Sequence, residues 1–174
     1  MRTAALPNLH LPIMTKSTEL KPDHRLPVFE PSVGTVPDVR LPFGCPHGNG
    51  EHILFVDQEP LANLCRNVLE RFGYRASHCT SSARALALLQ EQPDLFDLVI
   101  AEMNMCGPDV AGFARRLFEI RPGARVIMTT SFNSSLTLSR LHEMGITELL
   151  QKPYDIRSLA ESVHRTLDRR SSPA

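Results

Sequence analysis

Five side chains in this chain stand at the ends of apolar runs and could act on one ligand. They are Asp57 and Gln58 after His52–Val56, Glu102 after Leu98–Ala101, Thr130 at the end of 125–130, and Lys152 after 148–151. Runs of this length suit strands buried on both faces. In open α/β sheets, ligands sit beyond the carboxyl ends of the strands. Two acids, an amide, a hydroxyl and an ammonium would then share one rim. Glu102 by itself could equally be a solvated strand-end carboxylate; its company at the other strand ends favours a site. Lys152 is singled out by usage. Of 19 basic residues only Lys16, Lys21 and Lys152 are lysines. A compact ammonium does not replace a planar guanidinium. Chance is the other reading of that choice.

The elements that must position these groups alternate. After the strand at 52–56, Pro60 suits a first helical turn. Leu61, Leu64, Cys65, Val68, Leu69 and Phe72 then recur at helical spacing, and Gly73 ends the helix. Residues 74–79 read as a second, less apolar strand, suited to an edge. Thr80, Ser81 or Ser82 can cap the next helix. The strand at 98–101 runs into a loop at 104–108, followed by a helix at 110–120 that Asp109 would cap. A strand at 125–130, a helix at 136–144 closed by Gly145, a strand at 148–151 and a helix from an Asp155 cap to about Leu167 complete the series. Five strand–helix alternations predict a parallel sheet with helices on both faces. The economical solution is a flavodoxin-like, doubly wound five-stranded sheet in the order 2-1-3-4-5 with five helices.

Composition limits the function classes. Lys+Arg and Asp+Glu are both 19, so nothing attracts nucleic acid or an anionic membrane in bulk. No apolar run reaches the roughly 18 residues of a spanning helix, and the start lacks a signal-peptide core. A cytoplasmic protein is expected. Cys45, Cys65, Cys79 and Cys106 are scattered, which argues against disulfides and zinc; Cys45, His47 and His52 make a poor ligand set. Residues 1–50 hold eight of the 14 prolines and read as a disordered tail, with Gly44–Gly50 as a hinge. Within it, PDHRLP at 22–27 recurs as PDVRLP at 37–42, each followed by Phe29 or Phe43. A docking motif and a plain extended linker are both readings of this repeat. The expected domains are 1–50, 51–170 and a short tail at 171–174.

From about His52 to Leu167, two-thirds of the chain, the sequence resembles the receiver domain of two-component response regulators, the chemotaxis-regulator type. The resemblance rests on ILFVDQEP (53–60), LERFGY (69–74), DLVIAEMNMCG (97–107), VIMTTS (126–131) and ELLQKPYD (148–155) followed by LAESVHRTL. GEHILFVDQEP and GITELLQKP look most like receivers at the ends of hybrid sensor histidine kinases. The resemblance implies a Mg²⁺ site made by two acids after strand 1 and an Asp after strand 3. That Asp would accept a phosphoryl group contacted by a hydroxyl and a lysine. By position, Asp57 is the first acid, Glu102 stands at the phosphoacceptor, Thr130 at the hydroxyl and Lys152 at the lysine. The Asn104 carbonyl would be a backbone metal ligand.

The departures bear on function. Gln58 replaces the second acid, Glu102 the acceptor Asp, Cys106 a usual Pro, Val110 a usual Gly, and Leu149 a frequent aromatic. Mg²⁺ wants oxygen ligands in tight octahedral geometry, and here one charge is lost. Glu102 carries its carboxylate outward by a methylene, and about 1 Å of misplacement can cost on the order of 100-fold in rate. Slow or absent phosphotransfer is expected. An outward Glu102 paired with Lys152 would partly mimic a phosphorylated site. The first functional expectation is a degenerate receiver, not an enzyme, that binds a sensor histidine kinase or another signalling protein through helix 1 or the helix 4–strand 5–helix 5 face. The latter face would also support a weak homodimer. The alternatives are a working phosphoacceptor in a phosphorelay and a truncated remnant of a kinase. His164 reads as a surface histidine, and Cys106 as a candidate oxidation sensor.

Overall fold

The computed structural model describes residues 42–131 and 137–169. The first copy of the repeated motif and all of the second except Pro42 lie outside the described residues, as does 171–174. The elements are β1 (His52–Val56), α1 (Leu61–Arg71), β2 (Arg75–Cys79), α2 (Ser82–Glu91), β3 (Leu98–Glu102), α3 (Val110–Ile120), β4 (Val126–Thr130), α4 (Leu138–Glu143), β5 (Glu148–Gln151) and α5 (Ile156–Asp168). The strands form one parallel sheet in the order β2-β1-β3-β4-β5. The expected flavodoxin-like architecture is the observed one.

Strand alternation divides the core into two layers. Ile53 and Phe55 of β1, Leu98 and Ile100 of β3, and Ile127 of β4 face α1 and α5, meeting Cys65, Leu69, Leu159 and Val163. Leu54, Val56, Val99, Ala101, Val126 and Met128 face α2, α3 and α4, meeting Leu89, Phe113, Leu117 and Leu141. All five residues of β3 and of β4 are buried, as a central parallel strand requires. Each fully buried Leu, Ile or Phe stabilises the fold by roughly 1.5–3 kcal/mol. The edges differ. β2 starts on exposed Arg75 and then alternates between half-buried and buried residues, and β5 is four residues long with none fully buried.

Local chemistry sets the helix starts. Ser81, Asp109, Thr137 and Asp155 each accept a hydrogen bond from the backbone N–H three residues on, which relieves the orphan donors of the first turn. Gly73 follows α1 at φ +85°, a conformation that glycine adopts without a Cβ penalty. Two expectations change. The loop after β3 is partly a 3-10 turn, Met103–Cys106. The segment expected as a hinge, Gly44–Gly50, is held against the domain: Gly48 N–H donates to Phe72 O at 2.8 Å and Gly50 N–H to Gly73 O at 3.0 Å. Cys45 is buried in the α1–α5 layer.

Candidate functional site

The sheet register brings the expected residues to one rim. Val56 pairs with Ala101, Glu102 with Thr129, and Thr130 with Gln151. Asp57, Glu102, Thr130 and Lys152 therefore sit at adjacent strand ends. The Lys152 N–H donates to Thr130 O at 2.7 Å, and the Asp57 N–H to Cys79 O at 3.2 Å, so the backbone itself fixes the rim.

The side chains pair in a way the sequence did not predict. Lys152 Nζ donates to Asp57 Oδ2 at 2.7 Å, and the Gln58 N–H donates to Asp57 Oδ1 at 2.7 Å. The Asp57 side chain is 4% exposed and that of Lys152 21%. Glu102 is also buried, but it turns back on its own loop. Its Oε1 accepts from Asn104 Nδ2 at 2.8 Å and its Oε2 from the Met105 N–H at 3.1 Å. It is thus the N-cap of the 3-10 turn. The expected Glu102–Lys152 pairing is corrected: a Glu one residue before this turn reaches two local donors at small entropic cost, and Lys152 takes Asp57.

The remaining candidates fall into place around this pair. The Thr130 hydroxyl donates to Ser131 O at 3.1 Å. The Gln58 side chain is exposed. The Asn104 carbonyl accepts from the Gly107 N–H at 3.2 Å. Neighbouring Glu59 is drawn to His78 Nε2 at 2.9 Å and to Asn63. Asp109 is a helix cap, accepting from Gly112, and His164 meets Asp168 on an exposed helix face. Burial, reinforced by the Glu102 charge, pushes the Cys106 thiol up to about 12. A thiol so protonated does not favour the oxidation sensing considered above.

Two side chains beneath the rim escaped the sequence reading. The Tyr154 hydroxyl lies 3.9 Å from Cys65 Sγ. Burial first, then Cys65, Asp57 and Glu102, push the phenol above its usual range. Burial pushes Cys65 to about 11. Tyr154 follows the Lys-Pro pair, and that adjacency was the available signal. Thr129 is fully buried with a hydroxyl that has no hydrogen-bond partner among the described residues. Nothing in its sequence context distinguishes it from Thr130.

The sequence model of the "Response regulator receiver domain" matches residues 53–164. The "Response regulator receiver protein CpdR" of Brucella abortus is 27% identical over 115 residues, covering 66% of this chain and 94% of that protein. The "Two-component response regulator ORR24" of Oryza sativa subsp. indica is 30% identical over 127 residues, covering 72% of this chain and 20% of that protein. This chain therefore spans about a fifth of the latter's length. A receiver domain from Clostridium thermocellum superposes with a TM-score of 0.63 at 23% identity, covering 68% of this chain and 95% of that one.

Proposed function

The chain belongs to the response regulator receiver domain family, and from that premise we propose that it serves two-component signalling as a degenerate receiver, a protein-binding module with little or no phosphorylation at position 102. The observation that carries this reading is the state of the two carboxylates. All four of their oxygens accept hydrogen bonds from groups of the chain itself: Lys152 and Gln58 on Asp57, Asn104 and Met105 on Glu102. The Glu102 carboxylate is held on its own loop by Asn104 and Met105 and is bonded to neither Thr130 nor Lys152, the groups that the resemblance sets beside a phosphoryl group.

The same donor set does not fit Mg²⁺. The cation needs several carboxylate or carbonyl oxygens about 2.0–2.1 Å away. Asp57 is neutralised by an ammonium, Glu102 and the Asn104 carbonyl are engaged in the turn, and Gln58 offers a neutral amide from an exposed side chain. No helix among the described residues is long and apolar enough to cross a membrane. Partners are accordingly sought among sensor histidine kinases and other signalling proteins, reached through the helical faces, with a weak homodimer through α4, β5 and α5 as one form of such contact.

The test is intact-mass spectrometry after incubation with acetyl phosphate and Mg²⁺, wild type beside the Gln58→Asp/Glu102→Asp double variant. The expected result is a phosphoryl adduct on the variant alone. An adduct on wild type identifies a working phosphoacceptor and overturns the reading.

A further inference from the structure

A cavity of about 320 Å³ lies between α2 and α3, and neither Asp57 nor Lys152 lines it. Its walls combine an apolar part with charges of both signs. Leu86 and Phe113 supply the first, Asp109 a carboxylate, and Arg115 and Arg116 two guanidinium groups. All three charged residues are exposed. Among the described residues neither arginine has an ion pair. Asp109 Oδ1 accepts from the Gly112 N–H at 2.7 Å. Gly112 also leaves room for Oδ2, which a Cβ there would strike. Asp109 and Arg116 are seven residues apart. They share one stripe of the helix surface, separated by about 10 Å along its axis.

The complement of this pattern occurs twice in the chain itself. PDHRLP at 22–27 and PDVRLP at 37–42 each set an Asp two residues before an Arg, with Leu next. In an extended segment those two Cα atoms lie about 6 Å apart. The long arginine stems on both sides make up the difference. Asp of the motif then faces Arg116, with Arg115 beside it, and Arg of the motif faces Asp109. Leu falls against Leu86 and Phe113. A proline at each end restricts φ, so less freedom is lost when the segment docks.

The second copy of the motif starts from the wrong side of its own domain. Pro42 O accepts from the Cys45 N–H at 3.4 Å, and Phe43 O from Arg157 Nη2 of α5 at 2.9 Å. Cys45 lies in the α1–α5 layer, whereas Leu86 and Phe113 belong to the layer on the opposite face of the sheet. Four residues from Asp38 to Pro42 reach at most ~14 Å. A path around the sheet has to clear helices about 10–12 Å across on either face.

We propose that the cavity between α2 and α3 receives the PDxRLP segment of a second copy of this chain. The chain is then its own partner through a charge-matched segment-in-groove contact. Such docking is independent of phosphorylation at position 102 and is measured without a phosphoryl donor.

The experiment is fluorescence anisotropy with a labelled peptide of residues 36–43, titrated with the full chain as wild type and as Arg116→Glu. Arg116 is exposed, so the variant is expected to keep the wild-type melting temperature. The peptide should bind wild type and lose at least about tenfold in affinity for Arg116→Glu. A peptide carrying Asp38→Arg should reverse that order, preferring Arg116→Glu over wild type. No binding to wild type, binding indifferent to Arg116→Glu, or a loss that the exchanged peptide does not recover overturns the proposal; the last result would mark a general anion site. Sedimentation velocity of the full chain reads the contact between copies. Wild type should associate reversibly, and the Asp23→Arg/Asp38→Arg variant should stay monomeric. A wild type that is monomeric up to its solubility limit, or a variant that associates equally, overturns the second copy as the occupant.

Discussion

The ammonium of Lys152 lies 2.7 Å from the buried carboxylate of Asp57, two residues 95 apart in the chain that tie the end of β5 to the end of β1. An exposed ion pair is worth little, but a buried acid stripped of its only cation is costly. Lys152→Met is expected to destabilise the domain by about 3 kcal/mol. The Asp57→Asn/Lys152→Met double variant should cost less than the sum of the two single changes. Urea unfolding of the four proteins provides the cycle; additive effects would show that the pair is not coupled.

Cation binding gives a second, independent readout. A ligand that binds only the folded state raises the melting temperature by an amount that grows with the logarithm of its concentration above Kd. For wild type, about 10 mM Mg²⁺ should leave Tm unchanged within about 1 °C. The Gln58→Asp/Glu102→Asp variant, with three carboxylates at the rim, should gain a clear upward shift in the same titration. A shift in wild type of comparable size would contradict the assignment of Asp57 to Lys152.

His52 sets a pH dependence. Burial lowers its pKa below 6.5, with Arg75 acting in the same direction and Asp97 opposing. The unfolded chain therefore takes up this proton at a higher pH than the folded chain. The stability tied to neutral His52 is complete above about pH 6.5 and is lost progressively as pH falls from there towards the folded pKa. Thermal melts of wild type and His52→Gln should differ by a constant amount above pH 6.5, with wild type losing ground only below it.

Thr129 carries a buried hydroxyl without a partner among the described residues. Replacing an unsatisfied polar group with an apolar one of the same shape removes a desolvation penalty of about 1–3 kcal/mol. Thr129→Val is expected to leave the fold intact and raise stability by about 1 kcal/mol, read as a higher urea midpoint at unchanged slope. At Thr130, whose hydroxyl is bonded to Ser131, the same substitution should destabilise.

The N-cap of the last helix offers a local check. Asp155 accepts from the Ser158 N–H at 2.7 Å, and that bond holds its carboxyl below the usual range. Asp155→Ala should lower the urea midpoint at neutral pH, and Asp155→Ser much less.

Periodicity carried most of the architecture into the sequence. Short apolar runs bounded by Gly73, Pro93, Gly123 and Gly145 leave little freedom in where strands and helices fall, and the parallel order follows from their alternation. The rim was legible for the same reason, because a residue at a strand end is placed by the backbone. What its side chain touches is not so placed. The choice of Lys152 for Asp57 over Glu102, and of Glu102 for Met105 and Asn104, depends on local donors within a turn that MNMC does not announce. The hold on residues 44–50 was hidden because it is made by backbone groups, a glycine against a tyrosine and one cysteine. In sequence, such a stretch reads only as Pro/Gly-rich.

The two borders of the sheet bear on how copies of this chain can meet. An unpaired strand edge is a template for another strand, and folded proteins disarm it with shortness, charge and proline. β5 offers four residues before Lys152 and Pro153, and its Glu148 is drawn inward by Ser162 and Thr166 of α5. β2 presents Arg75 and His78, with Arg75 already spanning to Gly50. Both borders thus carry features that disfavour pairing with a neighbouring strand. The folded chain is thereby less prone to strand-by-strand association.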